Sequence, residues 1–295
     1  EGTVDIEYVV EEKSTDQIEL SGGWGGGRVI GTFGVGFNNF SVRKILKSSA
    51  WTPLPSGDGQ RLAIRAQSDG LYYQSYSASF TEPWLGGRKP NSLSISIYNS
   101  IQTNGEKKGS ENRQSINILG ASVGLGRRLK WPDDYFTLYN GLTYQNYTLN
   151  NFSSVFSFSN GYSNCLNLTN VISRNSIDQP IYPRSGSEIS LTIQLTPPFS
   201  ILKNINYKNA TDQEKYKWIE YHKWKFSTSS FIKLYDNFVL NTKTQFGFLA
   251  LYNRNIGMAP FERFYLGGDG MYGYALDGRE IIALRGYTNN SLSPS

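Results

Sequence analysis

Apolar and polar residues trade places with a period of two along most of this chain, which restricts it to strands. Leu93, Ile95 and Ile97 alternate with Ser92, Ser94 and Ser96. Ile189, Leu191, Ile193 and Leu195 alternate with Glu188, Ser190, Thr192 and Gln194. Neighbouring side chains on a strand point to opposite faces, so each run has one greasy face and one polar face. Eleven such runs can be marked. The first, Ile18-Glu19-Leu20-Ser21, breaks into the glycine cluster 22–27, which reads as a hairpin turn. Val29, Gly31, Phe33, Val35 and Phe37 share a face of the second. Phe40 to Ala50 then reads as a short amphipathic helix. In the third, Leu62, Ile64 and Ala66 oppose Arg61, Arg65 and Gln67; in the fourth, Tyr72, Tyr76, Ala78 and Phe80 oppose Ser75, Ser77 and Ser79. The sixth to eighth fall near 113–127, 135–148 and 165–176.

Two folds use such strands. A soluble sandwich turns the apolar set to a dry core, and a membrane barrel turns it to lipid and the polar set to water. Period alone does not separate them. Three other features favour the barrel. Aromatics gather at strand ends (Trp24, Tyr72, Tyr73, Trp84, Trp131, Tyr135, Tyr182), as interfacial girdles require. The tenth strand, from about Tyr216 to Leu234, is long for a globular protein. Its Trp224, Phe226, Ile232 and Leu234 share one phase, and Lys223, Lys225 and Lys233 share the other. In the eleventh, Phe238, Leu240, Phe246 and Phe248 oppose Asn241, Lys243 and Gln245. Lysines would ruin a dry core but are tolerable against enclosed water. The longest links, 102–112, 149–164, 198–215 and 252 onward, fall on one side of the sheet, and short turns such as 128–134 and 235–237 on the other. The first two hairpins break that asymmetry. The expected fold is an all-β antiparallel transmembrane β-barrel.

Other chemistries find little support. No apolar run approaches the ~20 residues of a helical span. The net charge of +5 is modest and scattered, so no nucleic-acid partner is expected. Cys165 is the single cysteine and His222 the single histidine, so neither a disulfide nor a His/Cys metal site is expected; His222 reads as solvated or lumen-facing. The 22–27 glycines lack the following helix that a phosphate loop needs. Glu11-Glu12 and Asp133-Asp134 are adjacent, so on a strand they point apart. Asp269 and Asp277 lack a spaced calcium ladder. No enzyme activity, metal or cofactor is expected.

Val4-Asp5-Ile6-Glu7-Tyr8 followed by Val10-Glu11-Glu12 reads as one strand with no earlier partner, hence the end of an upstream domain, with Lys13 to Gln17 as linker. Three later segments stand out: Ile181-Tyr182-Pro183-Arg184-Ser185-Gly186-Ser187; Pro260-Phe261-Glu262-Arg263-Phe264-Tyr265-Leu266-Gly267-Gly268; and Leu284-Arg285-Gly286-Tyr287. Together, in this order and spacing, they make nearly the whole chain resemble the BamA family of outer-membrane assembly barrels and its wider assembly and translocation superfamily.

That resemblance implies residues 1–16 as the last strand and linker of a periplasmic POTRA domain. Residues 17–295 would be the first eleven of about sixteen barrel strands plus the sixth extracellular loop, with the closing strands absent. Phe261, Glu262, Arg263, Phe264, Tyr265, Gly267 and Gly268 would be the loop stem. Leu284, Arg285, Gly286 and Tyr287 would be its tip, with Arg285 meeting inward residues of the closing strands; the insert 269–283 is longer than the family's usual spacing. Ile18, Glu19, Leu20, Ser21, Gly22 and Gly23 would form a weak lateral seam that templates client strands. The implied role is folding and inserting barrel proteins into the bacterial outer membrane. Implied partners are nascent outer-membrane barrel proteins, accessory periplasmic lipoproteins, lipid and lipopolysaccharide. A secretion translocator of the same superfamily, a passive porin or receptor, and a soluble β-sandwich binder remain as alternatives.

Overall fold

In a computed structural model, the described residues are 7, 9, 16–51, 54–87, 89–153, 156–202, 205–260, 262–268, 280–288 and 291–292, except 26–27. The strand expected over 4–12 lies almost wholly outside them. Eleven antiparallel strands form one sheet in chain order. They are β1 (Gln17–Gly25), β2 (Arg28–Phe40), β3 (Gln60–Asp69), β4 (Tyr73–Glu82), β5 (Ser92–Thr103) and β6 (Ser115–Arg128). Then come β7 (Phe136–Asn150), β8 (Gly161–Asn175), β9 (Gly186–Leu195), β10 (His222–Tyr235) and β11 (Phe238–Ala250). Two short strands, β12 (Phe264–Leu266) and β13 (Glu280–Ile282), form a separate parallel pair. No helix among the described residues is long and apolar enough to cross a membrane.

The registers fix the two faces. Trp224 pairs with Phe248 and with Ile193, Leu142 with Leu168, and Ile97 with Ala121, so the apolar phases of neighbouring strands coincide. Phe33, Ile64, Ile97, Leu119, Leu142, Leu168, Ile172 and Phe246 are all exposed on that face, Phe246 by 68%. No second protein layer covers them among the described residues. A continuous apolar band of this extent is what hydrocarbon solvates and water does not. Its polar members satisfy one another: Asn99 donates to Asn117 at 2.8 Å and Asn140 to Asn170 at 2.6 Å. Leu142→Arg is therefore expected to destabilise the lipid-inserted protein by about 2–4 kcal/mol. Thr143→Arg, one residue along and facing inward, should be nearly silent. Urea titration in vesicles would distinguish them.

The long links after β5, β7, β9 and β11 all leave one end of the sheet, and short turns join β6 to β7 and β10 to β11 at the other. At the long-link end the inner face is not wet. Ile116 and Ile118 of β6, Tyr147 and Leu149 of β7 and Cys165 of β8 pack with Phe156, Ile219, Tyr221 and Ala259 from the links. Toward the other end the inner face turns small and polar, as in the contact of Ser96 with Ser122 at 2.7 Å.

Four sequence expectations need correction. The 40–50 helix is two short 3₁₀ turns, Val42–Lys44 and Ser48–Ala50. Ser41 N donates to Pro55 O and Gly57 N to Asn39 O, both at 2.9 Å, and this tied base leaves too little chain for a continuous helix. Gly22 and Gly23, expected in a turn, lie within β1 opposite Gly31 and Ile30, and the pairing with β2 runs on to Gly25 and Arg28. β8 begins at Gly161, and β10 begins at His222 rather than near Tyr216. Thr196 and Tyr221 close the β9–β10 ladder, with Tyr221 N donating to Thr196 Oγ1 at 2.7 Å. Residues 217–219 then take up the edge of β8 that β9 leaves open. Asn164 N donates to Lys217 O at 3.0 Å, and Ile219 N to Asn164 O at 2.8 Å. Open ladder groups beside a packed core must find partners, and the link supplies them. His222 shares the outward phase of Trp224, whose Nε1 donates to its Nδ1 at 3.1 Å, and its ring stands 5.3 Å from that of Tyr252.

Candidate functional site

The loop after β11 returns to the inner face, where β10 and β11 hold it. Lys223 and Lys225 alternate with Trp224 and Phe226, so the pleat that sends the aromatics outward sends both ammonium groups inward. Lys223 is only 1% exposed. Its Nζ lies 3.1 Å from Glu262 Oε2 and 3.0 Å from Glu280 Oε1, and Lys225 Nζ lies 2.8 Å from the same Glu280 oxygen. Two cations and two carboxylates thus neutralise one another. A buried cation without such partners would carry a desolvation cost of several kcal/mol. Lys223 Nζ also sits 4.8 Å from the centre of the Phe264 ring, a favourable cation–π geometry. That ring rests on Gly247 of β11, where a Cβ would meet it at 2.6 Å. Between the stem and the wall lies a cavity of about 530 Å³ lined partly by Ser190, Thr192, Lys243 and Gln245.

Within the loop, Phe264, Tyr265 and Leu266 run parallel to Glu280, Ile281 and Ile282. Gly267 N donates to Ile282 O at 3.1 Å, and Gly268 N to Tyr287 O at 3.0 Å. Gly267 has φ +112°, and a Cβ there would lie 2.6 Å from Thr288 O. Only glycine meets both demands, which accounts for the Gly-Gly of the stem motif. Leu284 N donates to Gly268 O, and Tyr287 N closes back on Leu284 O at 3.4 Å, making a turn about Arg285 and Gly286. Gly286 takes φ +91° there.

The structure therefore brings Glu262, Arg263, Phe264, Tyr265, Gly267 and Gly268 together with Leu284, Arg285, Gly286 and Tyr287 in one folded unit. Phe261 and most of the insert 269–283 lie outside the described residues. The tip is exposed beside a cavity of about 440 Å³, and Arg285 forms no ion pair among the described residues. Sequence reasoning placed Lys223 and Lys225 on the inner face but missed their partners. The inward phase of two lysines and the carboxylate of Glu262 in the stem were the signals that could have joined them.

Burial pushes the Glu280 carboxyl up, but the Lys225 and Lys223 ammonium groups outweigh it and hold it below the ordinary glutamate value. A folded value below the unfolded one means stabilisation that is present above the ordinary value and is lost as pH falls through the lowered one. The stem should stay docked at neutral pH and loosen only below about the ordinary value of 4.5. Protease accessibility of the loop as a function of pH would check this, and Glu280→Gln should flatten the profile.

The residues expected to form a seam lie in β1, at the other end of the strand order from β10 and β11. Ile18, Leu20 and Gly22 face outward and Glu19, Ser21 and Gly23 inward, all paired with β2. Glu19 reaches across Gly34 to Arg65 at 3.1 Å, tying β1 to β3 on the inner side. Among the described residues β1 has a neighbour on one side only. No cluster of three or more His, Cys, Asp or Glu side chains able to hold a metal occurs among them.

No curated protein matches the chain. Among solved structures, it is similar to the crystal structure of BamA from Haemophilus ducreyi lacking POTRA domains 1–3, with a TM-score of 0.61 and 19% identity. The match covers 96% of this chain and 48% of that one, so this chain spans about half the length of the relative and shares the fold of that portion. The Omp85 superfamily domain matches residues 56–295, from the link before β3 through the docked loop, and the chain belongs to the Omp85 superfamily.

Proposed function

We propose that this chain is the barrel portion of an outer-membrane assembly factor that folds and inserts nascent barrel proteins, acting by templating rather than by catalysis. The observation that carries the reading is β1. It bears consecutive glycines, Gly22 and Gly23, opposite Gly31 and Ile30 of β2, and in this reading its other edge is the seam of the closed barrel. An open ladder of N–H and C=O groups captures an extended segment by β-augmentation, and glycines weaken the strand that must later yield. Superfamily membership supports the same reading. The apolar packing at the long-link end of β6, β7 and β8 weighs against a passive pore, which needs a wet path between its two mouths.

In this reading the barrel sits in the bacterial outer membrane with upstream POTRA domains in the periplasm. Accessory periplasmic lipoproteins, lipid and lipopolysaccharide are its further partners. The test is a Ser21→Cys variant of the full-length protein, in which Cys165 is buried and silent. Oxidation during insertion of a client barrel carrying one terminal-strand cysteine should give a disulfide-linked adduct. Efficient client insertion with no adduct at any client position would defeat the templating reading.

A further inference from the structure

The link between β2 and β3 carries a surface that the β1 edge does not use. Residues 42–51 read Val-Arg-Lys-Ile-Leu-Lys-Ser-Ser-Ala-Trp, with three bases and no carboxylate. Val42, Ile45, Leu46 and Trp51 are all exposed, Leu46 by 97%. Gln60 shows which way this segment lies. It shares the phase of Leu62 and Ile64, so its side chain points to the lipid-facing side. There Gln60 Oε1 accepts from Val42 N at 2.7 Å, and Gln60 Nε2 donates to Glu82 at 2.7 Å. Gln60 and its cross-strand partner Phe40 are both buried. The link is thus folded over the outward side of the short-turn rim, continuous with the apolar band.

Internal bonds brace the segment. Lys44 Nζ donates to Ser56 O at 2.7 Å, and Trp51 Nε1 to Ile45 O at 3.0 Å. Arg43 and Lys47 stay exposed. The nearby carboxylates, Asp58 and Glu82, accept bonds from Ser41 and Gln60 at the base of the link. An apolar tip flanked by cations at the level where strands leave the hydrocarbon matches one environment: the boundary of acyl chains and anionic headgroups.

We propose that residues 42–51 form a seat for anionic phospholipid headgroups at the short-turn rim, with Leu46 and Trp51 in the acyl boundary and Arg43 and Lys47 on the phosphates. Because β2 lies beside β1, the seat fixes the depth of the edge strand in the bilayer. The proposal rests on the reading of the outward face as lipid-facing, and the experiment separates the two. The full-length protein would carry a polarity-sensitive dye at Leu46→Cys, or at Leu142→Cys as control, in phosphatidylcholine vesicles with and without phosphatidylglycerol.

The dye at 46 should resist an aqueous quencher and respond to a lipid-borne one in the anionic vesicles. Protection should fall roughly five-fold for each base removed in Arg43→Gln and Lys47→Gln. A water-accessible dye at 46 in both vesicles, or protection indifferent to lipid charge and to those variants, would overturn the seat while a lipid-quenched dye at 142 keeps the barrel reading. A water-accessible dye at 142 would overturn both.

Discussion

Lys223→Ala is expected to free the loop stem from the barrel wall. The variant leaves Glu262 without its cation and Glu280 with Lys225 alone, and removing one partner of a buried ion pair costs about 3–5 kcal/mol. Loss of the contact with the Phe264 ring adds to this. Limited proteolysis of the reconstituted protein should cleave the loop far faster, and complementation should fail. Lys225→Ala should be much milder, within about 1 kcal/mol, because its side chain is 35% exposed and its pair is screened. The double variant Lys223→Met with Glu262→Gln removes one charge of each sign and should recover much of the protection. If Lys223→Ala leaves the loop as protected as in the parent, the clamp does not hold the stem.

Gly267→Ala should be nearly as damaging by a different route. A side chain in this left-handed backbone region costs about 1–3 kcal/mol, and a Cβ 2.6 Å from Thr288 O forces a shift of backbone rather than of a flexible side chain. The effect should appear as loss of the tip's position while the barrel strands stay intact. Mass-spectrometric hydrogen exchange would show it as faster exchange at Gly268 and Leu284, with protection of β10 and β11 unchanged. Protection unaltered at both places would mean that the tip does not depend on this turn.

Much of the sheet was legible in the sequence because its information is local. A period of two assigns each side chain to a face without knowledge of the neighbour strand, so the outward phase of Trp224 and Phe246 and the inward phase of Lys223 and Gln245 follow from residues two apart. Strand ends were less legible. Residues 216–221 keep a strand-like pattern, yet the backbone bonds of 217–219 go to β8, and no local signal records which edge lies open. The helix expected at 40–50 failed for a related reason. Its amphipathic spacing is real, but bonds from Ser41 N to Pro55 O and from Gly57 N to Asn39 O close the link on itself. The clamp was hidden by distance: Lys223 meets Glu262 across 39 positions and Lys225 meets Glu280 across 55. The stem and tip motifs were visible as resemblance, whereas the glycine geometry that explains them needed coordinates.

The repair of the β8 edge by Trp218 and its neighbours has an evolutionary corollary. Both ends of the excursion between β9 and β10 are anchored, one at Thr196 with Tyr221 and the other at Asn164 with Lys217. Between them, apart from Ser200, which buried Glu220 holds, and the buried Tyr207, the mostly exposed stretch 208–212 can lengthen, shorten or change its surface without moving a barrel stave. Variation should therefore accumulate there, and insertions should stop abruptly at residue 217, where a single added residue would throw the borrowed rung out of step.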